Sequence, residues 1–66
     1  MVITVNGEDR AVPGEATVAA IVGAFAPSAK GIAVAVNAEV VPRSEWDTTA
    51  VSDGDQIEVL TAAQGG

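Results

Sequence analysis

A chain of 66 residues without one cysteine has to fold on burial and backbone hydrogen bonding alone. Domains this small usually lean on a disulfide or a metal, and this composition disfavours both. No disulfide or thiolate site is available, and with no histidine a zinc or copper site would need carboxylates alone. Apolar residues make up 48% of the chain, which favours a globular core over disorder. Much of that content is alanine and valine, so the core is expected to be built from small side chains.

The pattern along the chain alternates between two periods. In "MVITV", Met1, Ile3 and Val5 share one face and Val2 and Thr4 the other, which predicts a strand. Asn6-Gly7 predicts a hairpin turn, with the returning strand at Arg10 to Val12 stopped by Pro13-Gly14. Val18, Ile21, Val22 and Phe25 then fall on one face of a helix, with Thr17 as N-cap and Pro27 beyond its end. Gly23 weakens that helix by up to about 1 kcal/mol relative to alanine, so it depends on packing.

"GIAVAVN" predicts a strand apolar on both faces and therefore inside a sheet. Asn37 to Glu39 turns the chain, and Val40-Val41 returns briefly as an edge strand ended by Pro42. "RSEW" predicts a short helical turn, Asp53-Gly54 another turn, and Gln56 to Leu60 the last strand. One helix and about five strands give an α+β fold, the helix lying across one face of a mixed sheet. Residues 1–60 are expected to form the domain and residues 61–66 a flexible tail.

Composition excludes more functions than it suggests. The formal charge is −6, which disfavours nucleic acid and anionic membranes as partners. Excess acid serves solubility or steers a basic partner protein, and both readings stand. No basic leader or long apolar run is visible, so the expected compartment is the cytoplasm. His, Cys and Tyr are absent and Lys30 is the single lysine, which argues against acid–base or nucleophilic catalysis. "SDGD" at Ser52 to Asp55 matches only a fragment of a calcium loop and reads as a turn. Trp46 reads as a core residue rather than a partner contact.

One chemically distinctive group is left, the carboxylate after Gly65-Gly66. The element order and the stretches "VNG" (Val5 to Gly7), "TVAAIV" (Thr17 to Val22), "AVAVNAEVVPRSEW" (Ala33 to Trp46), "SDGDQIEVL" (Ser52 to Leu60) and the final Gly-Gly carry a resemblance. Together they resemble the ThiS family, the bacterial sulfur carrier proteins of thiamine biosynthesis, which have the ubiquitin-like β-grasp fold. "VNAEVVPRSEW" is the most specific part. The alanines and Gly23 of the helix depart from the longer polar residues common in relatives.

The resemblance implies a carrier rather than an enzyme, a monomer when free, with no bound cofactor or metal. A ThiF-type, E1-like adenylyltransferase is implied to use ATP to adenylate Gly66. A sulfur donor protein then gives a thiocarboxylate there, and a ThiG-type thiazole synthase consumes it. Ala63, Gln64 and Gly65 are the implied threading tail, and the sheet face beside the last strand is the expected partner surface. Alternatives are a β-grasp sulfur carrier of another pathway (molybdopterin, tRNA thiolation or cysteine), a ubiquitin-like conjugation to lysines, or a non-covalent interaction module.

Overall fold

A two-residue turn starts the sheet. The computed structural model describes residues 1–26 and 31–61. Asn6 and Gly7 sit at φ 51° and 84°, the left-handed region that asparagine and glycine accept most readily. They join β1 (Val2–Val5) to β2 (Glu8–Ala11), pairing Val5 with Glu8 and Val2 with Ala11. The returning strand therefore begins at once after Gly7, two residues earlier than its apolar pattern suggests. Val12 lies just past its end and still exchanges two backbone hydrogen bonds with Met1, both 2.9 Å.

Helix α1 (Val18–Phe25) is capped by Thr17, whose hydroxyl accepts from the Ala20 N–H at 3.2 Å. It buries Val18, Ile21 and Val22, as its period predicts. Phe25, on the same face, stays 37% exposed because it lies in the last turn, with the Arg10 guanidinium 5.4 Å from its ring.

Strands β3 (Ile32–Val36) and β4 (Glu39–Val41) form a second hairpin, followed by a 3₁₀ turn at Arg43–Glu45 and by β5 (Gln56–Thr61). The five-stranded sheet runs β2-β1-β5-β3-β4, with β1 and β5 parallel and the other neighbours antiparallel. β4 begins at Glu39, one residue before the expected return, and is an edge strand. β5 runs to Thr61, one residue past the expected domain boundary. This is the mixed α+β sheet that the pattern predicts, in the β-grasp arrangement that the resemblance implies.

The core is a single layer between sheet and helix. Ile3, Val5, Val34, Ile57 and Val59 meet Val18, Ile21 and Val22, with Ala16, Trp46 and Val51 closing the sides. Trp46 is 7% exposed and donates its indole N–H to the Val41 carbonyl at 3.0 Å, so it serves the core as expected. β3 is interior to the sheet, but only one of its faces is covered. Val34 is buried while Ala33 is exposed, since α1 crosses one side of the sheet.

The β3–β4 turn is less comfortable than the first. Asn37 and Ala38 sit at φ 52° and 70°. Alanine in that region clashes with its own backbone, at a cost of roughly 1–2 kcal/mol. Glycine removes the clash but gives back part of the gain as lost chain entropy. Ala38→Gly is predicted to stabilise the fold by about 0.5 kcal/mol, seen as a higher urea midpoint with an unchanged slope. A lowered midpoint would contradict the strain.

Candidate functional site

Ala63, Gln64, Gly65 and Gly66, the residues that the sequence singles out, lie outside the described residues. What the structure shows is the strand that delivers them. β5 sits in the middle of the sheet, with β1 on one side and β3 on the other. It is the centre of the sheet and the last element among the described residues.

Two asparagines fix β5 from opposite sides. Asn6 donates its backbone N–H to the Ile57 carbonyl at 2.9 Å. Its side chain continues the ladder where the backbone has turned away: Oδ1 accepts from the Val59 N–H at 2.8 Å and Nδ2 donates to the Val59 carbonyl at 3.1 Å. Across the strand, Asn37 donates its N–H to the Gln56 carbonyl at 2.7 Å, and its Oδ1 accepts from the Gln56 N–H at 3.0 Å. Each amide stands in for a strand residue that the positive-φ turn has removed. The sequence marks both asparagines only as turn formers. Their second role depends on a strand about 50 residues later for Asn6 and about 20 for Asn37, which no local pattern discloses.

Beyond Val59 the two sides of β5 differ. Ala33 and Ile32 of β3 pair with Leu60 and Thr61. On the other side β1 has already ended. Because backbone groups alternate along a strand, Thr61 points its N–H and C=O toward that vacated side. At Thr61, the last described residue, β5 thus has one edge open.

The sheet face opposite α1 surrounds this exit. Leu60 is 62% exposed and Val40 71%. The register places Ala33 beside Leu60, and Ala35 between Val40 and Glu58, on the same face. The result is an apolar strip with Glu58 beside it.

The acids of "SDGD" are structural. Asp53 Oδ1 accepts from the Val2 N–H at 2.8 Å, and Asp55 accepts from the Ser52 N–H at 2.7 Å and from Asn37 Nδ2 at 3.1 Å. Gly54 takes φ 86°, as the turn requires. Among the described residues no group of His, Cys, Asp or Glu is placed to hold a metal ion. No helix among them is long and apolar enough to cross a membrane.

Asn6→Ala removes two part-buried hydrogen bonds and is predicted to cost about 2–3 kcal/mol. Chemical denaturation measures the loss. Hydrogen exchange should show it first at Val59. A variant within about 0.5 kcal/mol of the parent would mean that the clamp contributes little.

Comparison with known proteins agrees with this geometry. The ThiS family model matches residues 3–66. The crystal structure of the thiamine biosynthesis protein ThiS from Geobacter metallireducens superposes with a TM-score of 0.83 at 35% identity, all of both chains being covered. The solution structure of that Geobacter protein gives 0.78 at 36% identity, covering all of this chain and 88% of the other. A thiazole synthase of Paramagnetospirillum magneticum is 36% identical over all 66 residues, which are 20% of its own length. The sulfur carrier protein ThiS of Escherichia coli is 44% identical over 36 residues, 54% of each chain. The chain therefore spans a fifth of one curated relative and about half of the other. With a family model matched over residues 3–66 and a solved ThiS structure that superposes over the whole chain, this chain belongs to the ThiS family.

Proposed function

We propose that this protein is a sulfur carrier of thiamine biosynthesis, working through the carboxyl group of Gly66. The observation that carries the reading is the family match, which runs without a break to Gly66 and so includes the Gly-Gly pair. The thiazole synthase relative supports the same pathway, because a stretch similar to this whole chain occurs within it.

The chemistry follows from what a carboxylate lacks. Its charge repels nucleophiles, and oxide is a poor leaving group. An E1-like partner joins the Gly66 carboxylate to the α-phosphate of ATP with loss of pyrophosphate. This removes the charge and supplies AMP as a leaving group. A sulfide-level sulfur nucleophile supplied by a donor protein then forms a C–S bond at the Gly66 carbonyl as the C–O bond to AMP breaks, so AMP leaves and a thiocarboxylate remains, with no change of oxidation state. Thiazole synthase takes that sulfur for the thiazole ring. The protein itself supplies no acid, base or nucleophile and acts as a co-substrate.

Glycine suits the end of such a tail because a reaction centre that excludes water is narrow, and a backbone without Cβ approaches closely. Ordering each tail residue costs roughly 1–2 kcal/mol. The globular body has to offset that cost, and the strip around Leu60 and Val40 is the surface we assign to it. A partner docked there lies beside the strand that feeds the tail.

Reconstitution with the E1-like enzyme, ATP and a sulfur source tests the tail. Removal of Gly66, or Gly65→Trp, is predicted to abolish thiocarboxylate formation while leaving the urea midpoint unchanged. Normal thiocarboxylate in either variant would overturn the reading.

Leu60→Asp tests the surface. With its side chain mostly in water, the change should alter stability by no more than about 0.5 kcal/mol. It should weaken partner binding about tenfold, as loss of a central apolar contact does. Unchanged affinity would place the contact elsewhere.

A further inference from the structure

We infer that Asn6-Gly7 is a site of spontaneous covalent modification. The Asn6 amide deamidates through the Gly7 nitrogen, the bonds to Val59 hold that reaction back, and its product releases the end of β5. None of this involves Gly66 or a partner protein.

The chemistry needs only two neighbouring residues and water. The Gly7 nitrogen attacks Cγ of Asn6, the bond from Cγ to Nδ2 breaks, and ammonia leaves. A cyclic imide remains. Water opens it at either carbonyl, giving aspartate or its β-linked isomer, with no change of oxidation state. Glycine as the second residue favours the attack, because no Cβ stands in the way of a close approach.

Among the described residues, three turns set Asn or Asp before a small residue at positive φ: Asn6-Gly7, Asn37-Ala38 and Asp53-Gly54. The structure separates them. At Asp53-Gly54 the nitrogen is engaged, since Gly54 donates to the Val2 carbonyl at 2.8 Å. At Asn37-Ala38 the attacking nitrogen carries a substituted Cα, and the amide is held by Asp55 at 3.1 Å and the Gln56 N–H at 3.0 Å. At Asn6-Gly7 both residues are exposed, and no described residue accepts from the Gly7 N–H. A Cβ built on Gly7 meets nothing within 4 Å, so water reaches the turn. Only the Asn6 amide is restrained, by Val59 at 2.8 and 3.1 Å.

Those two bonds are the gate. They hold Cγ toward β5, and the amide has to swing off Val59 to meet the Gly7 nitrogen. β1 ends at Val5, so the swing breaks two side-chain hydrogen bonds and no strand pairing. Such local opening is far easier than global unfolding. The product then undoes the gate. An aspartate still accepts from the Val59 N–H, but it has lost the donor to the Val59 carbonyl and sets a negative charge against it. The β-linked isomer adds a main-chain atom to the two-residue turn that pairs Val5 with Glu8. Either way β5 loses its hold on the β1 side beyond Ile57. Loss of ammonia makes the change run one way.

The test follows the full chain in warm, mildly alkaline buffer, with and without urea. Trypsin cleaves after Arg10, Lys30 and Arg43, which puts Asn6 and Asn37 in separate peptides. Peptide mass reads the conversion of amide to acid. The acid form is expected in the Met1–Arg10 peptide under both conditions. Its formation should be about thirtyfold slower without urea, the factor that two hydrogen bonds hold closed. The Gly31–Arg43 peptide should stay unconverted without urea. Asn6→Asp stands for the product, and it should quicken hydrogen exchange of the Val59 amide about tenfold, more than at any amide of α1. Three results overturn the inference: no acid form at Asn6 in the folded chain while the urea sample converts, equal rates with and without urea, or unchanged Val59 exchange in Asn6→Asp.

Discussion

The pairing of β5 with β1 on one side and β3 on the other holds the rest of the structure in place. Without β5 the molecule is two hairpins and a helix, and isolated hairpins are marginal in water. With it, Ile57 and Val59 join Ile3, Val5 and Val34 as the floor on which α1 rests. All of the pairings of β5 are between residues distant in sequence, so the closing entropy is met late and as a unit. The Asn6 and Asn37 amides matter because they extend that pairing beyond the point where each neighbouring strand has turned away.

The same constraint organises the function proposed above. A tail hung on a central strand departs from a rigid platform rather than from a frayed edge. The vacated side next to Thr61 offers backbone groups to a partner. The apolar strip of Leu60 and Val40 lies on the face beside that exit. In the proposed function, the binding surface therefore lies beside the strand that leads to the reactive end. The formal charge of −6 fits a protein whose partners are other proteins and whose own chemistry is carried out by them.

How much of this was legible in the sequence depends on range. The Asn6-Gly7 turn, the helix from Val18 and the interior position of β3 follow from local pattern and turn chemistry, and the structure agrees. Trp46 was legible as a core residue because a lone tryptophan in a small protein has few better places. β2 was misjudged by two residues because its apolar content, Ala11 and Val12, comes at its end, whereas its start is fixed by turn geometry. β3 reads as covered on both faces, yet alanine on its outer face is simply small enough to tolerate water.

The long-range features were not legible. Nothing near Asn6 says that its amide meets Val59, and nothing near Asp53 says that its carboxylate meets the N–H of Val2. The tail was readable as composition, and its meaning came from the family pattern rather than from periodicity.

Intact mass of the protein isolated from its own cell, with and without a reagent that alkylates thiocarboxylates, tests the central claim most directly. It also reads whether the carboxyl of Gly66 is free. The account predicts a species heavier by one oxygen-to-sulfur exchange, localised to Gly66 and trapped by the reagent. A protein carrying only the plain carboxylate, even after incubation with ATP, a sulfur source and the E1-like enzyme from the same cell, would contradict it.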